Sequence, residues 1–117
     1  MTKALVTGAT SGIGRAIALG LKAAGHEVIA VGRQADALHE LAALGLQPVQ
    51  LDLAVPGAAA MLAGFALDVL VNNAGTMLRL IPFCDMTEAE IDGAVMVNLR
   101  AVLAVTRAVA PGMRDRG

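Results

Sequence analysis

The stretch at residues 7–14 constrains the fold more than any other part of the chain. It reads Thr-Gly-Ala-Thr-Ser-Gly-Ile-Gly, and it joins an apolar run at residues 4–6 to a helical pattern that ends near residue 24. A strand, a glycine-rich turn and a helix in this order are typical of the start of a dinucleotide-binding βαβ unit. The spacing is Gly-xxx-Gly-x-Gly, which differs from the commoner Gly-x-Gly-x-x-Gly.

Each glycine of this turn has a predicted task. Gly8 allows a sharp turn off the strand, Gly12 lets backbone N–H groups approach a pyrophosphate, and Gly14 lets the helix pack close to the sheet. The N-terminus of the helix offers free N–H groups and a partial positive charge to the phosphates. The remaining predicted cofactor-binding residues of the turn are Thr10, Ser11 and Ile13.

Strands and helices alternate along the rest of the sequence. We predict strands at 3–7, 27–31, 47–51 and 68–71, and helices at 11–24, 35–44 and 56–66. A capping box at residues 87–90 predicts the start of a long helix that runs to about residue 110, where Pro111 bends or ends it. The fold class is therefore α/β, a Rossmann-like doubly wound parallel sheet of about four strands in the order 3-2-1-4, in a single domain over residues 1–117.

Composition excludes several classes of function. Hydrophobic residues make up 56% of the chain, as expected of strands buried on both faces, and the net charge of −1 favours no nucleic acid. Cys84 is the only cysteine, which predicts no internal disulfide and a reducing, cytoplasmic compartment. We expect no signal peptide and no membrane span. We also expect no metal site, because His26 and His39 lack partners at metal spacing.

The end of the second predicted strand bears on cofactor choice. An acid here would bind the ribose 2′-hydroxyl of NAD, but the chain has Gly32-Arg33 instead. Gly32 leaves room, and the Arg33 guanidinium can form a bidentate contact with a 2′-phosphate, which favours NADP over NAD. The alternative is a solvated arginine that opens a helix.

Two asparagines end the fourth predicted strand, in Asn72-Asn73-Ala74-Gly75. Buried amides there need hydrogen-bond partners. With the glycine turn, this motif resembles the short-chain dehydrogenase/reductase family. The resemblance implies that Asn73, Ala74 and Gly75 lie beside the inner ribose of the cofactor, and that Asp52, helped by the backbone of Leu53, binds adenine. The alternatives are an ordinary turn at the asparagines and a turn or capping role for Asp52.

Asn98 lies in the middle of the long predicted helix, where asparagine is a poor helix former. The resemblance implies that it bends the helix and holds a water in a proton relay, whereas the plainer alternative is an exposed or satisfied polar residue. Members of this family are about twice as long as this chain, and their catalysis relies on a serine, a tyrosine and a lysine. This chain has no tyrosine.

We therefore expect the cofactor-binding, N-terminal half of an oxidoreductase that acts on a small carbonyl or alcohol. At most weak dinucleotide binding and no hydride transfer are expected of this chain alone. The alternatives are a catalytically inert nucleotide-binding or assembly module and a truncation product without function.

Self-association is expected as well. Strand residues 69–71 would form an apolar sheet edge, and the long helix is apolar nearly all round. The resemblance implies that this helix packs against its counterpart in a second subunit, so that the protein is a homo-oligomer.

Overall fold

Four parallel strands form the centre of the protein in a computed structural model that describes residues 2–117. They are β1 (Lys3–Thr7), β2 (Glu27–Gly32), β3 (Gln47–Gln50) and β4 (Val69–Val71). The order across the sheet is β3-β2-β1-β4, with every neighbouring pair parallel. The predicted fold class and strand order are confirmed, and β4 lies at a sheet edge as expected.

Neighbouring residues of the central strands point to opposite faces of the sheet, and both faces are buried. Leu5 and its register partner Ile29 belong to one core, whereas Val6 and Ala30 belong to the other. Because a strand alternates its side chains, two buried faces require an uninterrupted apolar run. The hydrophobic composition of the chain follows from this arrangement.

Helices cover one face of the sheet and a mixture of helix and turn covers the other. Helices α1 (Gly12–Ala23) and α2 (Ala35–Ala43) cover the first face. Both end about a residue before their predicted ends. Within α1, Ile17 and Leu21 pack on the core, but Ile13 is 74% exposed at the start of the helix.

The helix predicted at 56–66 is wrong in type and length. The structure has only a 3₁₀ turn at Ala58–Leu62, which begins after Gly57 in a left-handed conformation with φ of 85°. Hydrogen bonds such as that from Ala63 N to the Ala60 carbonyl span three residues, as a 3₁₀ turn requires. Leu62 is fully buried and anchors the turn to the second core.

The long helix has three parts, namely α3 (Glu88–Val95), a π turn (Met96–Arg100) and α4 (Ala101–Asp115). Its predicted start is confirmed, since the Thr87 hydroxyl oxygen accepts a hydrogen bond from Glu90 N at 3.1 Å.

The predicted end near Pro111 is wrong, because α4 continues through the proline to Asp115. A proline inside a helix removes one hydrogen bond and crowds the carbonyl four residues earlier, and here contacts beyond it hold the last turn in place. Met113 packs on the second core, and the Arg116 guanidinium donates a hydrogen bond to the Leu67 carbonyl.

The continuous stretch Glu88–Asp115 is long and apolar enough to cross a membrane by length and composition alone. This criterion is weak for one helix, because core helices of soluble proteins also meet it. Ala101, Val105 and Val109 on this stretch are buried, and the last two pack in the second core. These contacts are those of a helix that packs on a sheet.

Candidate functional site

A cleft of about 740 Å³ lies at the carboxyl ends of the strands, where ligands bind in open parallel sheets. Segments that follow all four strands contribute to its lining, together with residues of α3 and the π turn. The cleft brings together nine of the residues predicted from sequence, namely Gly8, Thr10, Ser11, Arg33, Asp52, Leu53, Asn73, Ala74 and Gly75. The four others are Gly12, Ile13 and Gly14 in the first turn of α1, and Asn98 in the π turn.

The hydroxyl of Thr7 joins the ends of β1 and β4 beneath the cleft. Thr7 is 1% exposed, and its Oγ1 accepts hydrogen bonds from the backbone N–H groups of Asn73 and Ala74, each at 3.0 Å. The Asn73 amide donates in return to the carbonyls of Thr7 at 3.2 Å and Gly8 at 3.1 Å. The predicted need of this asparagine for buried partners is thereby met.

Two glycines make this junction sterically possible. A Cβ on Gly8 would lie 2.8 Å from Ala74 Cα, and one on Gly14 would overlap both the Asn73 amide and the Gly8 carbonyl. The first turn of α1 therefore lies directly against the segment after β4. Gly14 lets the helix approach closely, as predicted, and the neighbour that it approaches is Asn73.

The N-terminus of α1 leaves its first backbone donors uncapped beside the cleft, which its N-cap residue Ser11 lines. Ser11 is the N-cap residue, yet its side chain makes no capping hydrogen bond. Gly12 has a φ of 57°, and a Cβ built there would meet nothing within 4 Å in the described chain. The turn thus presents N–H groups and a partial positive charge to open space.

Arg33 follows β2 at the edge of the cleft, with an exposed side chain. Its carbonyl accepts a hydrogen bond from Gln50 Nε2 at 3.1 Å, and its guanidinium forms no ion pair with any residue in 2–117. The neighbouring Gly32 has a different role from the predicted one. The room that it leaves is filled by the methyl group of Thr10, which a Cβ on Gly32 would overlap.

Asp52 and Leu53 follow β3 on the same side of the cleft. Asp52 Oδ1 accepts a hydrogen bond from Ala54 N at 2.9 Å, so this carboxylate fills the turn role that is the alternative to adenine binding. Its Oδ2 has no hydrogen-bond partner within the described residues. Leu53 packs its side chain against the second core and is also one of the residues that line the cleft.

The amide of Asn98 binds the backbone of Thr76 in both directions. Asn98 Oδ1 accepts from Thr76 N at 2.7 Å, and Asn98 Nδ2 donates to the Thr76 carbonyl at 2.8 Å. At Asn98, where the resemblance implies a bend, the helix contains a π turn, which is closed by a hydrogen bond from Ala101 N to the Met96 carbonyl. Turns of this kind inside α-helices are frequent at functional sites.

An ion pair lies on the side of the cleft that is formed by α3 and the segment after β4, and the sequence did not predict it. Arg79 donates from Nε to Glu90 Oε2 at 2.9 Å and from Nη2 to Glu90 Oε1 at 2.6 Å. These bonds from Arg79 lower the pKa of Glu90 below its ordinary value. The same contact raises the pKa of Arg79.

Sequence reasoning also missed Thr7 as a site residue, although it lies within the stretch on which the prediction was built. A threonine at the buried end of a strand needs a partner for its hydroxyl, and this could have identified it. The Arg79–Glu90 pair joins a loop to a helix, and no sequence periodicity relates such positions.

Comparison with known proteins identifies the family. The family model for short chain dehydrogenases matches residues 2–117. An uncharacterized short-chain type dehydrogenase/reductase of Sinorhizobium fredii is 46% identical over 97% of this chain and 46% of its own length. The L-xylulose reductase of Mus musculus is also 46% identical, over 98% of this chain and 48% of its own.

A solved structure agrees with these relatives. The L-sorbose reductase of Gluconobacter frateurii, in complex with NADPH and L-sorbose, superimposes with a TM-score of 0.87 and 32% identity. The match covers 99% of this chain and 49% of that one. The chain belongs to the short-chain dehydrogenase/reductase family, and it spans about half the length of the curated relatives that it matches.

The junction at Thr7 provides a test of stability. Thr7→Val removes the acceptor of two backbone N–H groups and should lower the free energy of unfolding by about 1–3 kcal/mol, the cost of unsatisfied buried donors. Thr7→Ser keeps the hydroxyl and should lower the free energy of unfolding clearly less. Urea denaturation followed by circular dichroism measures both, and equal losses in the two variants would contradict the assigned role of the hydroxyl.

Proposed function

We propose that the cleft binds NADP(H), and that residues 1–117 are the first part of one dinucleotide-binding domain. The whole protein would be an oxidoreductase that transfers hydride between this cofactor and a small carbonyl or alcohol. The observation that carries the proposal is the uncapped N-terminus of α1. Its N-cap residue Ser11 lines a cleft that also holds Arg33, a cation without an ion pair among residues 2–117. A pyrophosphate fits this donor set, since Gly12 leaves its approach open.

The proposed cofactor contacts follow the strand order. The backbone of the β1–α1 turn, from Gly8 to Gly14, would bind the pyrophosphate, with Thr10, Ser11, Gly12 and Ile13 between them. Beyond β3, Asp52 Oδ2 would accept a hydrogen bond from the adenine amino group, because Oδ1 already accepts one from Ala54 N. The second ribose would lie against Asn73, Ala74 and Gly75 after β4.

NADP is preferred over NAD because of Arg33, an exposed cation with no acid at the end of β2. A planar guanidinium suits a phosphate through two parallel hydrogen bonds. The structural neighbour from Gluconobacter frateurii is described with NADPH, which supports the same choice for this chain.

The cofactor supplies or accepts the hydride when it is bound, and the chain itself contributes binding and orientation. Asn98 is the proposed residue of the proton relay that the family resemblance implies. Its side chain holds Thr76 in place, which supports a positioning contribution to the wall of the cleft. The names of relatives that reduce xylulose and sorbose support a carbonyl substrate for the whole protein.

Exposed, free Cys84 fits the proposed cytoplasmic compartment.

Arg33→Ala tests the cofactor preference. Loss of charge-assisted hydrogen bonds should weaken NADPH binding by about 1–3 kcal/mol and leave NADH binding nearly unchanged. Nuclear magnetic resonance titration suits the weak binding expected of this chain. Arg107→Ala, an exposed arginine on α4, is the matched control for loss of one positive charge. Equal weakening of both cofactors by Arg33→Ala would contradict the 2′-phosphate contact.

The 117-residue chain by itself should oxidise no NADPH with a panel of ketones. Hydride delivery leaves negative charge on the substrate oxygen, and the chain has no tyrosine to supply a proton. General acid catalysis alone is typically worth roughly 10²–10⁴ in rate. The assay uses purified chain of confirmed mass. Turnover comparable to that of a full-length reductase, abolished by Asn98→Ala, would refute this expectation.

We also propose that the protein self-associates through its long helix. The outer side chains of Val95, Leu99 and Leu103 are 49%, 56% and 62% exposed, which leaves an apolar face without a partner in the described residues. Such a face favours burial against another surface. Light scattering over a range of concentrations should show a mass above that of the monomer, and Leu99→Gln/Leu103→Gln should reduce it. A monomer at the highest concentration would contradict the proposal.

A further inference from the structure

One wall of the cleft is held mainly by side-chain hydrogen bonds. Residues 76–79, between β4 and α3, all line the cleft. Apolar packing contributes little to holding them, because Met77 is 81% exposed and Leu78 is only partly buried. Asn98 binds the backbone at the first residue of this segment, and Glu90 binds the side chain of the last.

The contact between Arg79 and Glu90 is geometrically restrictive. Both carboxylate oxygens are used, one by Nε and the other by Nη2, so the guanidinium plane is fixed relative to α3. Glu90 Oε1 also accepts from the Thr87 hydroxyl at 3.2 Å, which ties the pair to the start of that helix. Arg79 is therefore neutralised by its partner, whereas Arg33 has no such partner among residues 2–117.

Strand order determines which part of a dinucleotide would pass this wall. The segment after β3 holds Asp52, the turn after β1 holds the phosphate donors, and β4 lies at the opposite edge from β3. A dinucleotide with its adenine near Asp52 and its phosphates at the turn extends toward β4. Residues 76–79 then lie along its second nucleotide.

We propose that Arg79 and Glu90 are positioning residues, which hold residues 76–79 in the register that the second nucleotide of NADP(H) requires. This inference rests on the proposed function of the cleft. The pair acts through the loop backbone, so its loss alters recognition of the complete dinucleotide and spares recognition of the adenosine end.

The experiment compares two ligands, NADPH and adenosine 2′,5′-bisphosphate, by magnetic resonance titration of the chain. Glu90→Gln removes the charge and keeps a residue that can complete a capping box. It should raise the dissociation constant for NADPH roughly two- to five-fold, the range for a partly exposed ion pair, and leave that for the bisphosphate unchanged. Arg79→Gln should do the same, and the double variant should add little further because both changes break one contact.

Glu88→Gln is the matched control for the loss of one negative charge from the first turn of α3. Glu88 is exposed and forms no ion pair within residues 2–117, so this substitution leaves the contact between Arg79 and Glu90 in place and should not change the ratio of the two dissociation constants. Binding of both ligands with an unchanged ratio in Glu90→Gln, or the same altered ratio in Glu88→Gln, would overturn this inference alone. Failure of the unaltered chain to bind either ligand would overturn the proposed function together with it.

Discussion

The fold and the cleft both depend on the hydrogen-bonded junction between Thr7 and Asn73. The two residues lie 66 positions apart, and their bonds fix the end of β1 against the segment that leaves β4. Because Asn73 also occupies the space beside Gly14, the same contact sets how closely α1 approaches the sheet. Strand pairing, helix packing and the base of the cleft therefore share one small set of polar atoms.

The two helices that border the cleft differ in how their N-termini are satisfied. Thr87 caps α3 with its own hydroxyl, so that end is closed by the chain. The Ser11 side chain makes no such bond, which leaves the first backbone donors of α1 without a capping partner beside the cleft that Ser11 lines. An end left uncapped beside a concave surface is suited to an anion, because a phosphate satisfies the same N–H groups that a capping side chain would.

Charge is arranged in a similarly uneven way around the cleft. The two arginines that line it differ in their contacts. Arg79 is bound through two nitrogens to Glu90, whereas Arg33 faces solvent at the end of β2. The first arrangement orders a loop, and the second leaves a cation for a ligand. On the β4 side an arginine orders a loop, and on the β2 side an arginine leaves a positive charge for a ligand.

The sequence by itself determined the features that arise from neighbouring residues. The glycine turn at 7–14, the alternation of apolar strands with helices, and the cap at Thr87 are all local patterns, and the strand order follows from general rules of handedness and connection. The family motifs added Asn73 and Asn98 as candidate site residues. The ends of α1 and α2 were predicted to within a residue, because the glycines that follow them act locally.

Only the tertiary structure decided which distant groups meet. The bonds of Asn98 to Thr76 span 22 positions and those of Arg79 to Glu90 span 11, and no periodicity in the sequence marks either pair. Tertiary contacts also overrode local preference, since α4 continues through Pro111 where Arg116 and Met113 dock its last turn. The reason is that local propensities cost less than about 1 kcal/mol for ordinary residues and about 3 kcal/mol for a proline inside a helix, which several packing contacts and hydrogen bonds together can offset.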